Sequence, residues 1–351
     1  TATNSNNVAV GYNAGTSVTT GVSNVILGAL AGDALTDADS NIAIGVQALG
    51  SDVLGSRSVA IGDGALLAQN NTTATNAYNN AIGYQAGVSV TTGTNNNIHG
   101  GLAGDALTTG SFNVAIGTSA LSADTTGQSS IAIGHQALQS QNNTTAGFVH
   151  NVAVGHKAGN SITSGDLNTL IGGLAGDALT SGNSNTAMGY VALSTDTLGD
   201  RAVAIGYGAL QNQNFTTTTD NYNVAVGFNA GNDITTGDQN TTLGGLSSAA
   251  LTTGSTNTAI GTRALTTDTQ GSSAVAIGNS ALNAQNFTTA NTNYNVAVGS
   301  NAGASITTGV NNVFVGGLAG DALTDADFNV AVGVAALTSD TLGSKSVAVG
   351  M

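Results

Sequence analysis

The sequence predicts an all-β protein, a parallel β-roll or β-solenoid, from three observations. A short apolar motif such as NVAVG or NIAIG recurs about twenty times along the chain. The glycines that end this motif are spaced 17, 17, 17 and 21 residues apart, and this set of 72 residues then repeats. The chain is rich in Val, Ile, Thr, Asn and Gly and contains no Pro, which is typical of short strands joined by tight turns.

Each repeat of the motif predicts one coil of 17 or 21 residues. We number the coils first to fourth within each set of 72, and we call the glycine that ends each motif the marker glycine; the fourth coil carries four extra residues. Two short strands are expected in each coil, each stacked on the next coil at a spacing of about 4.8 Å. About twenty such coils would extend on the order of 95 Å.

The repeat covers the whole chain, so residues 1–351 are interpreted as a single continuous array. The pattern begins inside one coil and stops inside another. Repeat arrays need capping units with a polar outer face. The sequence is therefore expected to be a segment of a longer fibre, with its caps beyond both ends.

Composition and charge exclude several function classes. The net charge is −14 with only five Lys and Arg residues, so binding to nucleic-acid phosphates is not expected. No apolar run is long enough to span a bilayer, and we expect no membrane insertion in this segment. The absence of Cys excludes disulfides. No nucleophile, base and orienting acid recur together, so we expect neither an enzyme nor a cofactor.

The centre of the motif forms a column of small apolar residues. In a surface strand, apolar and polar residues should alternate, but here the residues on both sides of the column are mostly β-branched and apolar, such as Val8 and Val10. We expect those neighbours to fill the coil and the column to face outward. An apolar stripe of this length is too large to leave in water, which predicts packing against other copies, as a homotrimer rather than a dimer. The predicted interface column comprises Ala9, Ile26, Ala43, Ala60, Ala81, Ala115, Ala132, Ala153, Ala187, Ala204, Ala225, Ala259, Ala276, Ala297 and Ala331.

The strings NVAVGYNAG, NIAIGVQAL, SVAIGDGAL and SIAIGHQAL resemble the YadA-like head repeats of trimeric autotransporter adhesins, and they are also similar to repeats of bacteriophage tail fibres. The resemblance covers essentially the whole chain. It implies a left-handed, trimeric parallel β-roll that is extracellular, on a bacterial cell surface or a virion. The coils are longer than the common short form of the family, and its neck, stalk and membrane barrel have no counterpart here.

The extra residues of the fourth coils are the best candidates for contact with a receptor. These four fourth-coil segments are residues 68–78, 140–150, 212–222 and 284–294, and they carry much of the aromatic content. Rings beside amides and hydroxyls suit a host glycan or protein. The alternative is that the rings fold back over the extra loop. The candidate residues are Tyr78, Phe148, Phe215, Tyr222, Phe287 and Tyr294.

Two further patterns each leave two readings open. The first three coils of every set begin with Asn, which favours either a hydrogen-bonded ladder of stacked side chains or the backbone geometry of a turn. The cluster Asp33, Asp37 and Asp39 returns at 321, 325 and 327. Such carboxylates fit either a Ca²⁺ site or a solvated turn.

These observations predict a structural or adhesive fibre segment that makes multivalent contacts with a host or surface receptor. The alternatives are an architectural filament or surface-layer protein, and an ice- or surface-binding β-solenoid. The last is motivated by the VTTG, LTTG and ITTG strings, but the column that contains Thr20 and Thr92 holds Asp37 and Leu54 in neighbouring coils. No regular array of this threonine is therefore expected.

Overall fold

A computed structural model describes residues 4–144 and 147–351. The chain forms two compact units, Thr1–Leu174 and Ala175–Met351. Each unit is a parallel β-solenoid, and the described residues contain no helix. The predicted all-β fold of about twenty coils is thus confirmed.

Each coil contributes one three-residue strand, which we call its core strand. In its described residues each unit holds ten of them. Those of the first unit are Val8–Val10, Val25–Leu27, Ile42–Ile44, Val59–Ile61, Asn80–Ile82, Asn97–His99, Val114–Ile116, Ile131–Ile133, Val152–Val154 and Thr169–Ile171. Those of the second are Thr186–Met188, Val203–Ile205, Val224–Val226, Thr241–Leu243, Thr258–Ile260, Val275–Ile277, Val296–Val298, Val313–Val315, Val330–Val332 and Val347–Val349.

Within each unit the core strands pair in parallel with those of the adjacent coils, at matching positions of the repeat. Ile26, for example, lies opposite Ala43, and Ala43 lies opposite Ala60. A second strand was predicted in every coil, but the described residues show it only between third and fourth coils. These two-residue strands pair Gly55–Ser56 with Thr75–Asn76, Gly127–Gln128 with Gly147–Phe148, Gly199–Asp200 with Thr219–Asp220, and Gly271–Ser272 with Asn291–Thr292.

The rest of each coil also stacks on its neighbour, but through isolated hydrogen bonds between turns. The amide of Thr19 donates to the carbonyl of Thr36 at 3.0 Å, and the amide of Gly15 donates to that of Ala31 at the same distance. Residues such as Gly15, with φ +59°, and Leu49, with φ +54°, interrupt the extended backbone. A run of extended residues long enough for a second strand therefore does not form in most coils.

The marker glycine turns the chain at the end of each core strand. Gly28 has φ +140°, and a Cβ atom there would lie 2.4 Å from the carbonyl oxygen of Gly45 in the next coil. Both the backbone conformation and the close approach of two backbones require glycine. This explains why glycine recurs at this position in every coil.

The column at the centre of the motif faces the interior, so the predicted direction of its side chains was wrong. Ala43 is fully buried within the single chain, whereas Ile42 and Ile44 on either side are half-buried. Ala9, in the first described coil, is exposed. The remaining members of the predicted column are all buried: Ile26, Ala43, Ala60, Ala81, Ala115, Ala132, Ala153, Ala187, Ala204, Ala225, Ala259, Ala276, Ala297 and Ala331.

The interior of a coil is narrow, and this decides which residues face it. Small residues fill most buried positions. A large side chain comes from one of two places, such as Leu35 in a second coil or Leu49 in a third coil, both fully buried. Second coils bury a further large residue at the centre of the motif, such as Ile26. A Cβ atom on Gly32 would lie 2.9 Å from Cδ1 of Leu35. A coil therefore accommodates a large residue at only one of the two places, as close packing requires.

We predict that Gly28→Ala destabilises the coils that contain it by about 2 kcal/mol or more, because alanine is strained at this φ and its Cβ meets a backbone oxygen. Chemical denaturation monitored by circular dichroism measures the change. Gly101→Ala is the matched control, because a Cβ atom there meets nothing within 4 Å. Equal stability of the two variants would contradict the explanation.

Candidate functional site

A buried polar network fixes the start of the fourth-coil segments. In the first segment, Nε2 of Gln69 donates to Oδ2 of Asp52 and, at 3.1 Å, to Oγ of Ser58. Oε1 of Gln69 accepts from Nδ2 of Asn79 at 2.8 Å. All four side chains are fully buried or nearly so. The network satisfies polar groups that would otherwise be costly to bury.

The bond between glutamine and aspartate recurs in the later sets of coils. Gln141, Gln213 and Gln285 each donate at 2.6 Å to Asp124, Asp196 and Asp268 respectively. These third-coil aspartates are therefore structural partners of the fourth coil. The extra residues of the fourth coil follow directly after these glutamines, so their position is held by the core.

Burial shifts the pKa of one of these carboxyls. Asp196 is fully buried, and desolvation raises its pKa above the ordinary value of 3.8. Hydrogen bonds from Gln213, Phe215 and Gly199 oppose this rise by favouring the charged form, but burial has the larger effect on the pKa.

The six predicted contact residues divide into two groups. Phe215 and Phe287 are buried, with exposed fractions of 6% and 4%. Their amides donate at 3.0 Å to Asp196 and Asp268, which holds this part of the segment against the core. These two rings are folded back against the protein, as the alternative interpretation predicted. The other four rings are half exposed or more: Tyr78, Phe148, Tyr222 and Tyr294.

Two of the exposed rings, Tyr78 and Phe148, have different partners. The guanidinium of Arg57 lies 5.7 Å from the ring centre of Tyr78, and its Nη1 donates to the hydroxyl at 3.2 Å. Phe148 stacks on His150 with ring centres 5.4 Å apart; residues 145 and 146 of this segment lie outside the described residues. The segments thus present a shared exposed ring in varied polar surroundings.

The segment around Tyr222 also carries charge. Arg201 lies over the ring of Tyr222, with its guanidinium 5.8 Å from the ring centre, and it pairs with the carboxylate of Asp220. Both partners of the ion pair are about half exposed, so solvent screens the attraction and it adds little stability. Its effect is to hold the arginine beside the exposed ring.

A second set of exposed rings was missed by the sequence reasoning. The residue directly after each marker glycine forms a column that we call the aromatic column. In the second unit it holds Tyr190, Tyr207 and Phe228 on successive coils, each at least half exposed. The sequence signal was present, because each of these aromatic residues follows a marker glycine directly.

The asparagines that begin the coils form a hydrogen-bonded ladder, which was one of the two interpretations of this pattern. The side-chain oxygen of Asn24 accepts from the amide of Asn41 at 2.9 Å, and its Nδ2 donates to the carbonyl of Ala38 at 2.7 Å. The left-handed turn conformation belongs to the preceding residue, Ser40, with φ +59°. The ladder therefore runs mainly from side chain to backbone.

The acidic clusters and the threonines also satisfy the backbone. Asp39 and Asp327 each accept an amide from the preceding coil at 2.8 Å. Thr91 and Thr108 donate their hydroxyls to carbonyls of the following coil at 3.1 and 2.9 Å. This column of threonines, which is next to the column of Thr20 and Thr92, therefore links one coil to the next. No group of three potential ligands is placed to hold a metal within residues 4–144 and 147–351.

Comparison with known proteins identifies no family for this chain. No protein-family model matches it, and no curated protein matches it with significance. The part of the chain that the structure describes has no helix that is both long and apolar enough to cross a membrane.

We predict that Phe287→Ala lowers the free energy of unfolding by about 3 kcal/mol, because it empties a buried site. Tyr294→Ala, at an exposed ring of the same segment, should change it by no more than about 0.5 kcal/mol. Urea denaturation of both variants measures the difference. Similar losses would show that the two rings do not differ in their packing.

Asp196 should give a measurable pH dependence. Because its folded-state pKa is raised, the folded protein holds the proton more tightly, and stability falls as pH rises from 3.8 through the raised pKa. The stability advantage of the wild type over Asp196→Asn should therefore be largest at acid pH and shrink toward neutrality. Urea denaturation across this pH range tests it, with the exposed Asp63→Asn as control for the loss of one charge. An advantage that grows with pH would contradict the assignment.

Proposed function

We propose that this chain is a segment of a surface-exposed fibre that assembles with copies of itself and makes repeated contacts with a host or surface receptor. The observation that carries the proposal is the apolar outer face of the core strands. This face consists of the two residues that flank the buried column in each coil. In the single chain, Val25 and Leu27 are exposed by 39% and 46%.

The outer face forms one continuous stripe along each unit. In one unit its ten strands, at about 4.8 Å each, run for about 45 Å, and the two columns cover on the order of 300 Å². Apolar patches of this size on soluble proteins are often interaction sites. The column of Leu27 is apolar in every coil except at His99. His99 is half-buried, and its Nε2 has no hydrogen-bond partner. A monomer would leave this stripe uncovered.

A second copy of the same chain is the partner that matches a periodic apolar face. Identical repeats place the same columns at the same spacing on every copy, and closed symmetry brings identical faces together. Three copies around one axis would enclose their outer faces completely. We therefore propose a homotrimer of left-handed coils, which agrees with the resemblance to adhesin heads and tail fibres. That resemblance also supports an extracellular place on a bacterial cell surface or a virion.

The exposed rings of the fourth-coil segments support the adhesive part of the proposal. Within one unit, two successive segments lie four coils apart, which corresponds to about 19 Å. Weak contacts repeated along a fibre gain strength through avidity. No catalytic step is part of the proposed mechanism, which is rigid display of many similar contacts.

Light scattering of the purified segment at low and high salt tests the assembly. A salt-resistant mass of about three chains is expected, because apolar contact is not screened by salt. A monomer would overturn the proposal. Open-ended growth of mass with concentration would support the architectural filament instead.

Leu27→Asp should reduce this mass toward that of a single chain, because it places a charge in the apolar contact. Val46→Asp is the matched control, since Val46 is also 46% exposed but lies in a turn beyond the core strand. If both variants stay assembled, the outer face is not the contact surface. Circular dichroism verifies that both remain folded.

A further inference from the structure

The aromatic column of the second unit is a regular stack of rings. The ring centres of Tyr190 and Tyr207 are 5.8 Å apart with planes inclined by 25°. Those of Tyr207 and Phe228 are 5.4 Å apart with planes inclined by 16°. Each coil thus places the residue after its marker glycine at stacking distance from the next.

The stack stops at Gly245 although the coils continue. The amide of Leu246 donates to the carbonyl of Phe228 at 2.8 Å, so the backbone of the next coil is in register. A Cβ atom on Gly245 would meet nothing within 4 Å. One face of Phe228 packs on Tyr207, whereas its other face borders this open space, and the side chain is 56% exposed.

A polar residue stands on the far side of the opening. The following coil is also in register, since the amide of Arg263 donates to the carbonyl of Gly245 at 3.0 Å. Thr262 and Arg263 are both exposed there. The opening is therefore one coil high, with an aromatic ring on one side and the exposed Thr262 on the other.

The same arrangement occurs in the first unit. Tyr84 is 56% exposed, and Thr118 is exposed two coils further on. A Cβ atom on Gly101, in the coil between them, would again meet nothing within 4 Å. The amide of Leu102 donates to Tyr84 at 2.9 Å, and that of Ser119 donates to Gly101 at 3.1 Å. The triplet of aromatic residue, glycine and threonine thus recurs with the same stacking of coils.

We propose that each triplet binds one pyranose ring of a neutral β-linked glucan; this inference rests on the proposed adhesive function and names its ligand class. A pyranose with equatorial hydroxyls has flat C–H faces, and one face would lie on Phe228 or Tyr84 in the space that the glycine leaves. Its hydroxyls would then reach the threonine and the neighbouring side chains.

Charge and shape favour this ligand over other flat groups. The net charge of −14 with few basic residues repels nucleotides and anionic sugars. A purely apolar ring would leave the polar side of the opening unpaired. A neutral sugar satisfies both sides, because it has apolar faces and a polar rim.

NMR titration of the Tyr and Phe ring resonances with cellohexaose tests the proposal. Millimolar binding is expected for the wild type, since a single stacked ring contributes little affinity. The double variant Gly101→Val and Gly245→Val should weaken it at least tenfold, because the side chains fill both openings. Val46 and Val334 occupy this column in other coils, so valine is tolerated there.

Gly317→Val is the matched control and should bind as the wild type does. It fills the same column, but the preceding coil has Ser300 in place of a ring, and the nearest atom to its Cβ is 3.8 Å away. A second variant, Tyr84→Ala with Phe228→Ala, removes exposed rings and should also lose binding while circular dichroism stays unchanged.

Two results would overturn the inference: no shift of the wild-type rings by cellohexaose, or equal binding by the wild type and the filled variant. The solution mass separates this outcome from the proposed function. A trimer that ignores cellohexaose overturns the sugar sites and leaves the assembly. A monomer that binds cellohexaose through these triplets overturns the assembly and supports the sugar sites.

Discussion

The narrow interior of the coil is the constraint on which the rest of the structure depends. Successive coils approach so closely at the marker glycines that a Cβ atom on Gly28 would lie 2.4 Å from the next coil's backbone oxygen. Inside such a coil most positions accept only small residues, and large side chains fit at few places, such as those of Ile26 and Leu35. The β-branched residues of the core strands are consequently turned outward, which leaves an apolar face on the outside of each unit.

Polar groups are accommodated inside the coils by ladders rather than by isolated bonds. The asparagine ladder satisfies backbone groups of the next coil, as Asn24 does for Asn41 and Ala38. Between the third and fourth coils, the pair of Asp52 and Gln69 replaces part of the apolar core and fixes the start of the longer loop. Four extra residues can therefore enter the repeat without changing the register of the following core strand.

The surface divides into parts with different chemistry. The outer face of the core strands is mostly apolar, with polar residues such as Asn80 and Thr169 in one of its two columns, and it suits contact between copies of the chain. The fourth-coil rings and the aromatic column instead vary from set to set, from the pair of Arg57 and Tyr78 to the stack that ends at Phe228. A uniform scaffold with varied exposed rings is the arrangement expected of a fibre that presents many weak contacts.

The sequence by itself determined the period, the number of coils and their parallel stacking, because the glycine spacing follows directly from the repeat. Only the tertiary structure decided which side of a core strand is inside. Alternation distinguishes two faces, but the turns at residues such as Gly28 and Leu49 decide which face is enclosed. The same reason separates buried Phe287 from exposed Tyr294, since burial depends on how the chain closes around the narrow core.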